Sequence, residues 1–309
     1  MSTVAEANSL TAATGVGRIV SPRSPRLRAR LDLAWVGLVP FGLYLLFFLA
    51  LPTVLAVSSG VVVEGQLDWT NLASLADPVI VNTFWNSTWL SLLTAVIGAV
   101  VGAAVCYAML GLPEVGTVRT LVDAAAGVLA QFGGVMLAFA FIATIGVQGV
   151  LTQGLAHYLG IDIFANGTWI YDLPGLILPY IYFQVPLMVI TFTPAMAALK
   201  PQWAEANLTL GGTRRGFWWH IGLPVLAPSF LASLLLLFAN AFSSYATAAA
   251  LASQGSQIVT LQIRTAMTSE TLLGRQNLAG VLALGMVIVV GLVMWAYAVV
   301  QRRASRWQS

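Results

Sequence analysis

The sequence predicts an all-α, polytopic membrane protein with six transmembrane helices, and three observations predict it. Hydrophobic residues make up 59% of the 309 residues and charged residues only 8%. Mean hydropathy is +0.86, whereas soluble domains carry about 25% charged residues. Six stretches meet the length of about 20 mostly apolar residues that a bilayer crossing needs. The basic residues fall in alternate connections between those stretches, as the positive-inside rule requires of a multi-pass chain. No segment shows the alternating pattern of a membrane barrel.

The elements follow in order. Residues 1–30 are rich in Ala, Ser, Pro and Arg and hold no apolar run. They lack the apolar core of a cleaved signal peptide, so a disordered cytoplasmic tail is expected, with a transit peptide as the alternative. The six-helix domain is expected over 31–301, and 302–309 form a short basic cytoplasmic tail. The first helix is expected over Leu33–Val57 and contains Pro40 and Pro52. The second, Thr88–Leu110, carries Gly98-x-x-x-Gly102 flanked by Ala95, Ala99 and Ala103, a small-residue face that lets another backbone approach closely. The third, Leu121–Val147, holds Gln131 near its middle. The fourth, Leu173–Leu199, contains Pro186 and Pro194, each of which removes a helical hydrogen bond. The fifth, Pro224–Leu251, carries Asn240, Ser243, Ser244, Tyr245 and Thr247 in its second half. The sixth is Leu278–Val300.

Orientation follows from the basic residues. Arg18, Arg23, Arg26, Arg28 and Arg30 precede the first helix, and Arg119 follows the second. Lys200, Arg214 and Arg215 join the fourth to the fifth, and Arg302, Arg303 and Arg306 follow the sixth. That places 12 of the 14 basic residues on one side, with Arg264 and Arg275 on the other. Both termini are therefore expected in the cytoplasm. Glu64, Asp68, Asp77, Asp162, Asp172 and Glu270 fall in outer loops. Trp69, Trp85, Trp89 and Trp169 fall near outer interfaces, where indoles prefer to lie.

The spans hold almost no charge. A charged side chain at mid-membrane costs about 2.5–3.5 kcal/mol on insertion scales, so one that persists there usually has a task. Asp123 is the sole candidate, and its place near the cytoplasmic start of the third helix suits an interfacial or helix-terminal role. Gln131, Gln184, Asn240, Ser243, Ser244, Tyr245 and Thr247 are polar without charge. They either bond helix to helix or line a passage, and Gln131, Asn240, Ser243, Ser244 and Tyr245 are the candidates for a translocation path. Asn240, Ser243 and Ser244 lie three or four positions apart, on one side of a helix.

Catalytic chemistry is poorly served. One cysteine, Cys106, excludes an internal disulfide. Two histidines, His157 and His220, are expected on opposite sides of the membrane. There is no G-x-x-x-x-G-K-[ST] loop, since Lys200 is the sole lysine and Pro201 follows it. The chain therefore cannot cradle ATP in that way. Neither H-E-x-x-H nor G-x-S-x-G occurs. No enzyme activity, metal or cofactor is expected of this chain, and no nucleic-acid partner.

The connection 200–224 is the longest and most structured cytoplasmic loop. Pro201 can open a helix and Gly211-Gly212 can end one. Trp203, Leu208 and Leu210 supply apolar contacts to the short helix between them. A second short helix, Thr213–His220, would run into the membrane at Pro224. An apolar knob on the cytoplasmic face marks a docking surface.

This loop resembles the EAA loop of ABC importer permeases, whose pattern is E-A-A, three residues, G, nine residues, then I-x-L-P. Glu205, Ala206, Gly211, Ile221, Leu223 and Pro224 match at the right spacing. Asn207 stands where the family usually has alanine. A broader resemblance covers about 33–300. The stretch 234–250, with Phe238-Ala-Asn-Ala-Phe-Ser-Ser-Tyr245, looks like the fifth helix of permeases for polyamines, phosphonates, thiamine or iron.

The resemblance implies the type I importer fold and a division of labour. A separate ABC ATPase dimer hydrolyses ATP, and its groove receives the EAA helix. A second permease subunit, identical or different, completes the path. An extracytoplasmic binding protein delivers the solute, since the short outer loops leave no room for a binding domain. The implied location is the bacterial plasma membrane. A secondary transporter would instead show paired ionisable residues at mid-membrane and often internal repeats, and a membrane enzyme would cluster reactive side chains. An assembly protein of the membrane is the third alternative, which copurification with an ATPase would separate.

Overall fold

The computed structural model describes residues 38–63, 66–67, 75–113, 116–165, 167–252, 258–268 and 276–305. The basic stretch 1–30, Glu64, Asp68, Trp69, Glu270, Arg275 and Arg306 lie outside them. The chain divides into two units, Met1–Thr53 and Val54–Ser309. The described residues of the first belong to helix α1, Leu38–Val61. They include a π-helical turn at Leu46–Ala50 and are exposed throughout, Phe48 to 73%. An all-round apolar helix of this kind has lipid as its solvent.

Among its described residues, the regular structure of the second unit is helical apart from a two-stranded ribbon. β1 (Val62–Val63) pairs antiparallel with β2 (Gln66–Leu67), Val62 opposite Leu67. The helices are α2 Pro78–Met109, α3 Thr117–Gln131, α4 Gly134–Ile145 and α5 Val150–Gly154, the last continuing as a π turn to Leu159. Two 3-10 turns, Trp169–Tyr171 and Leu173–Leu176, lead into α6 Ile177–Ala197. Then come α7 Pro201–Thr209, α8 Arg214–Ser243, α9 Ala246–Leu251, α10 Val259–Thr268 and α11 Gln276–Ser305.

Six stretches are long and apolar enough to cross a membrane, matching the six expected, but their ends differ from the sequence reading. α2 begins ten residues early because Asp77 caps it, accepting from the Val79 amide at 2.9 Å, and Pro78 supplies a helix-ready first position. α8 begins at Arg214 rather than Pro224. The π turn Trp218–Gly222 joins this early start to the stretch from Leu223, where Pro224, which lacks an N–H, stands in the first turn.

The third and fifth spans are each broken. The expected helix Leu121–Val147 divides into α3 and α4 at Phe132 and Gly133, which have non-helical backbones. α4 has 12 residues, about 18 Å, too short to cross alone. The apolar stretch long enough to cross is Gly134–Leu159, which turns at Gly146–Gly149. The expected helix Pro224–Leu251 likewise ends at Ser243, Ser244 turns extended, and α9 starts afresh at Ala246.

Close backbone approaches organise the bundle. A Cβ on Gly98 would lie 2.6 Å from the Gln184 Cβ, and one on Gly102 would lie 2.5 Å from the Met188 Cβ. The small-residue face of α2 is therefore the seat of α6. Within the second unit, the end of the first span meets α11 the same way, since a Cβ on Gly60 would lie 2.5 Å from the Gly280 carbonyl carbon. Around these notches Ala95, Ala99, Met188, Phe192, Leu237 and Phe242 form one core. Leu137, Ala138, Ile170, Tyr180 and Leu251 belong to a second. Gln184 is fully buried and lies 3.2 Å from the Thr94 hydroxyl. With its amide oriented to satisfy both ends, its nitrogen donates to the Leu237 carbonyl at 3.1 Å. It ties α2, α6 and α8 together, which is the helix-bonding role rather than a lining one.

Candidate functional site

Two regions gather the residues singled out by the sequence. The first is the connection between α6 and α8. Lys200 is extended and Pro201 opens α7. Trp203, Ala204 and Asn207 are half-buried, while Glu205, Ala206 and Leu208 are exposed. Leu208 is 54% exposed, and Leu210 is 88% exposed beyond the end of the helix rather than packed along it. Glu205 has no hydrogen bond or ion pair among the described residues. Gly211 has φ +81°, the left-handed conformation that stops a helix. Its amide donates to the Leu208 carbonyl at 3.0 Å, and the Gly212 amide donates to the Asn207 carbonyl at 2.8 Å, which is the Schellman pattern. The Thr213 hydroxyl then caps α8, accepting from Gly216 at 3.1 Å.

A cleft of about 630 Å³ lies under α7, lined by Tyr107, Lys200, Glu205, Asn207, Arg214 and Trp218. The cleft separates α7 from the end of α2, and Glu205 and Leu208 lie on its rim. Ile221 is half-buried in the π turn, Leu223 and Pro224 are exposed at its end, and Gly222 between them is buried. A Cβ on Gly222 would lie 2.6 Å from the Trp218 ring. The matched Ile-x-Leu-Pro residues thus shape the root of α8, apart from the Glu205 surface.

The second region is where the two broken spans adjoin. A Cβ on Gly134, at the start of α4, would lie 3.4 Å from the Ala246 Cβ at the start of α9. Neither helix start has a side-chain cap, so the first amides of both lack intrahelical partners. Gln131 is the last residue of α3 and is exposed, not buried at mid-helix. Asn240, Ser243 and Tyr245 are exposed around the other break. The Ser243 hydroxyl donates to the Ala239 carbonyl at 2.9 Å. The Asn240 amide has no hydrogen bond among the described residues. Ser244 leaves the helix, is half-buried, and its carbonyl accepts from the Tyr180 hydroxyl at 3.0 Å.

Two contributors escaped the sequence reading, the Gly133-Gly134 pair and Tyr180, whereas Thr247 was among the uncharged polar residues it named. Gly133 and Gly134 make the third-span break, and adjacent glycines in an apolar run were the available signal. Tyr180 holds the fifth-span break and is 1% exposed. Thr247 is fully buried with its hydroxyl unpartnered among the described residues. Asp123 is exposed within α3. No cluster of three or more His, Cys, Asp or Glu residues that could hold a metal occurs among the described residues.

No protein-family model matches the chain. Over 127 residues it is 28% identical to the sulfate transport system permease protein CysT of Salmonella typhimurium, covering 41% of this chain and 43% of that protein. It is 26% identical over 101 residues to the ferric transport system permease protein FbpB of Actinobacillus pleuropneumoniae, covering 33% of this chain and 14% of that protein. The chain thus matches less than half the length of these curated relatives. Among solved structures, a bacterial ABC transporter involved in import of the acidic polysaccharide alginate matches with TM-score 0.68 and 16% identity, over 90% of this chain and 96% of that one. The MetNI methionine ABC transporter in an inward-facing conformation matches with TM-score 0.53 and 16% identity, over 73% and 96%. The fold is that of the membrane subunits of ABC importers, and part of the sequence is similar to transport system permease proteins.

Proposed function

We propose that this chain is the permease subunit of an ATP-driven ABC importer in a bacterial inner membrane. It forms half of a solute path and couples it to a separate ATPase. The carrying observation is α7: a short helix closed by the Gly211 stop, bordering an open cleft, with Glu205 and Leu208 exposed at the rim of that cleft and Leu210 exposed just beyond the helix. An exposed carboxylate beside exposed leucines suits a protein groove rather than water alone. The basic connections support placing α7 in the cytoplasm, with the first helix entering from that side and the sixth returning there.

A second permease subunit completes the path, and an extracytoplasmic binding protein delivers the solute. Gln131, Asn240, Ser243, Ser244 and Tyr245 are the lining assigned here. The named substrates of the relatives, sulfate and ferric iron, share no charge sign. The uncharged lining supports a path that leaves selection to the binding protein.

Copurification tests this reading. The tagged chain should bring down an ABC ATPase, and Glu205→Arg with Leu210→Asp should lose it while the variant still inserts and elutes as a folded membrane protein. Undiminished capture of the ATPase by that variant would overturn the assignment of α7.

A further inference from the structure

Asn207 departs from the alanine of the EAA pattern, and its side chain does something alanine cannot. Its Nδ2 donates to the Thr213 carbonyl at 3.1 Å, while its backbone carbonyl accepts from the Gly212 amide at 2.8 Å. One residue of α7 thus holds both residues that lead into α8. Thr213 is itself the cap of α8. Gly212 fits because it lacks a side chain, since a Cβ there would lie 2.6 Å from the Asn207 amide carbon. Beneath α7 the open cleft gives the helix little packing on the end of α2, so the hydrogen bonds at its C-terminal end carry its orientation.

We infer that Asn207 is a positioning residue that locks the docking helix α7 to the root of the fifth spanning helix α8, so that the two move as one lever. The reading rests on the proposed coupling role of α7. α8 continues through its π turn as one span to Ser243, where the polar break lies. A rigid joint at Asn207 therefore delivers a displacement of α7 to the path, and a loose joint dissipates it in the loop.

The joint is tested on the full chain in nanodiscs, in a Cys106→Ser background. Spin labels are placed at Gln202→Cys on α7 and Trp219→Cys on α8, both exposed positions. The parent should give one narrow distance distribution. Asn207→Ala and Asn207→Asp, neither of which can donate to the Thr213 carbonyl, should each widen it at least twofold while the melting temperature stays within a few degrees. Gly212→Ala should widen it equally, and adding Gly212→Ala to Asn207→Ala should change nothing further, because the two act on one joint. An unchanged narrow distribution in Asn207→Ala, or a harmless Gly212→Ala, overturns the clamp.

The lever is tested in the complex with the copurified ATPase. ATP should change thiol reactivity of Asn240→Cys severalfold in the parent and less than twofold with Asn207→Ala. An equal response in both overturns the lever. No response in the parent overturns the permease reading instead, and the distance measurement still decides the clamp.

Discussion

The Tyr180 hydroxyl donates a 3.0 Å hydrogen bond to the Ser244 carbonyl, across 64 positions in sequence. Ser244 is where α8 ends, and its carbonyl also accepts from Thr260 at 3.4 Å. A carbonyl turned out of a helix inside a membrane needs such a donor, because lipid offers none. The fully packed tyrosine on α6 thus stabilises the irregular backbone of the fifth span. Tyr180→Phe removes one buried hydrogen bond without changing shape. It should cost about 1 kcal/mol, read as a lower melting temperature in detergent. Protease sensitivity should rise at 244–246, and a variant as resistant as the parent would show that the break holds itself.

Gly98 is the tightest test of the bundle. With Gln184 Cβ 2.6 Å from the position its Cβ would take, Gly98→Ala must push α6 away from α2. Overpacking of this kind costs about 1–3 kcal/mol. Gly127→Ala is the control, because nothing lies within 4 Å of that position, and in a helix the change should be neutral or stabilising by up to about 1 kcal/mol. Equal melting temperatures for the two variants would contradict the close approach.

Much of this was legible in the sequence, and the misses have physical causes. Apolar length alone fixed the six crossings, since hydropathy reports what lipid tolerates. It also concealed both breaks, because Phe132-Gly133 and Ser244-Tyr245 sit within runs apolar enough to read as continuous helix. The helix stop at Gly211 was readable because a left-handed residue after a short amphipathic stretch is a local event. Tyr180 was not readable, since its partner is distant in sequence and only the packing of α6 on α8 creates the contact. Asn207 stood out in the sequence only as a departure from the usual alanine, as helix propensity is blind to a bond made to the next element.

The conformation of Gly211 makes a separable prediction. Its φ of +81° is disfavoured for residues with a Cβ by about 1–2 kcal/mol, and no atom lies within 4 Å to clash. The penalty is therefore conformational rather than steric. Gly211→Ala and Gly211→Leu should reduce ATPase capture and uptake while the protein still inserts, whereas Gly211→Asn should retain most of both, because asparagine tolerates the left-handed region. Equal loss with asparagine and leucine would point to a required contact at this position.

Orientation is checked by labelling in a Cys106→Ser background. Leu210→Cys, 88% exposed, and Ile161→Cys, 50% exposed, leave the Thr213 cap and the positive-φ residues Gly160 and Gly167 intact. A membrane-impermeant maleimide should label Ile161→Cys from outside intact cells and Leu210→Cys only after permeabilisation. The reverse pattern would remove α7 from the side where ATP is hydrolysed.

The path is the last and most demanding expectation. Gln131, Asn240, Ser243 and Tyr245 are exposed polar residues beside two helix breaks that adjoin at Gly134 and Ala246. An amide facing hydrocarbon without a partner costs several kcal/mol, so these side chains face either a second subunit or water. Uncapped amides at the starts of α4 and α9 add the same demand, since only a polar neighbour or water can satisfy them. Cysteines at 131, 240, 243 and 245 should therefore react with a small polar thiol reagent in the assembled complex, and ATP should change their rates. Ser244→Cys should react more slowly, because Ser244 is half-buried with its carbonyl held by Tyr180. Leu292→Cys, 61% exposed on α11, serves as the apolar control and should stay unreactive. If 131, 240, 243 and 245 are as inert as 292 with and without ATP, these residues bond one subunit to another and the solute passes elsewhere.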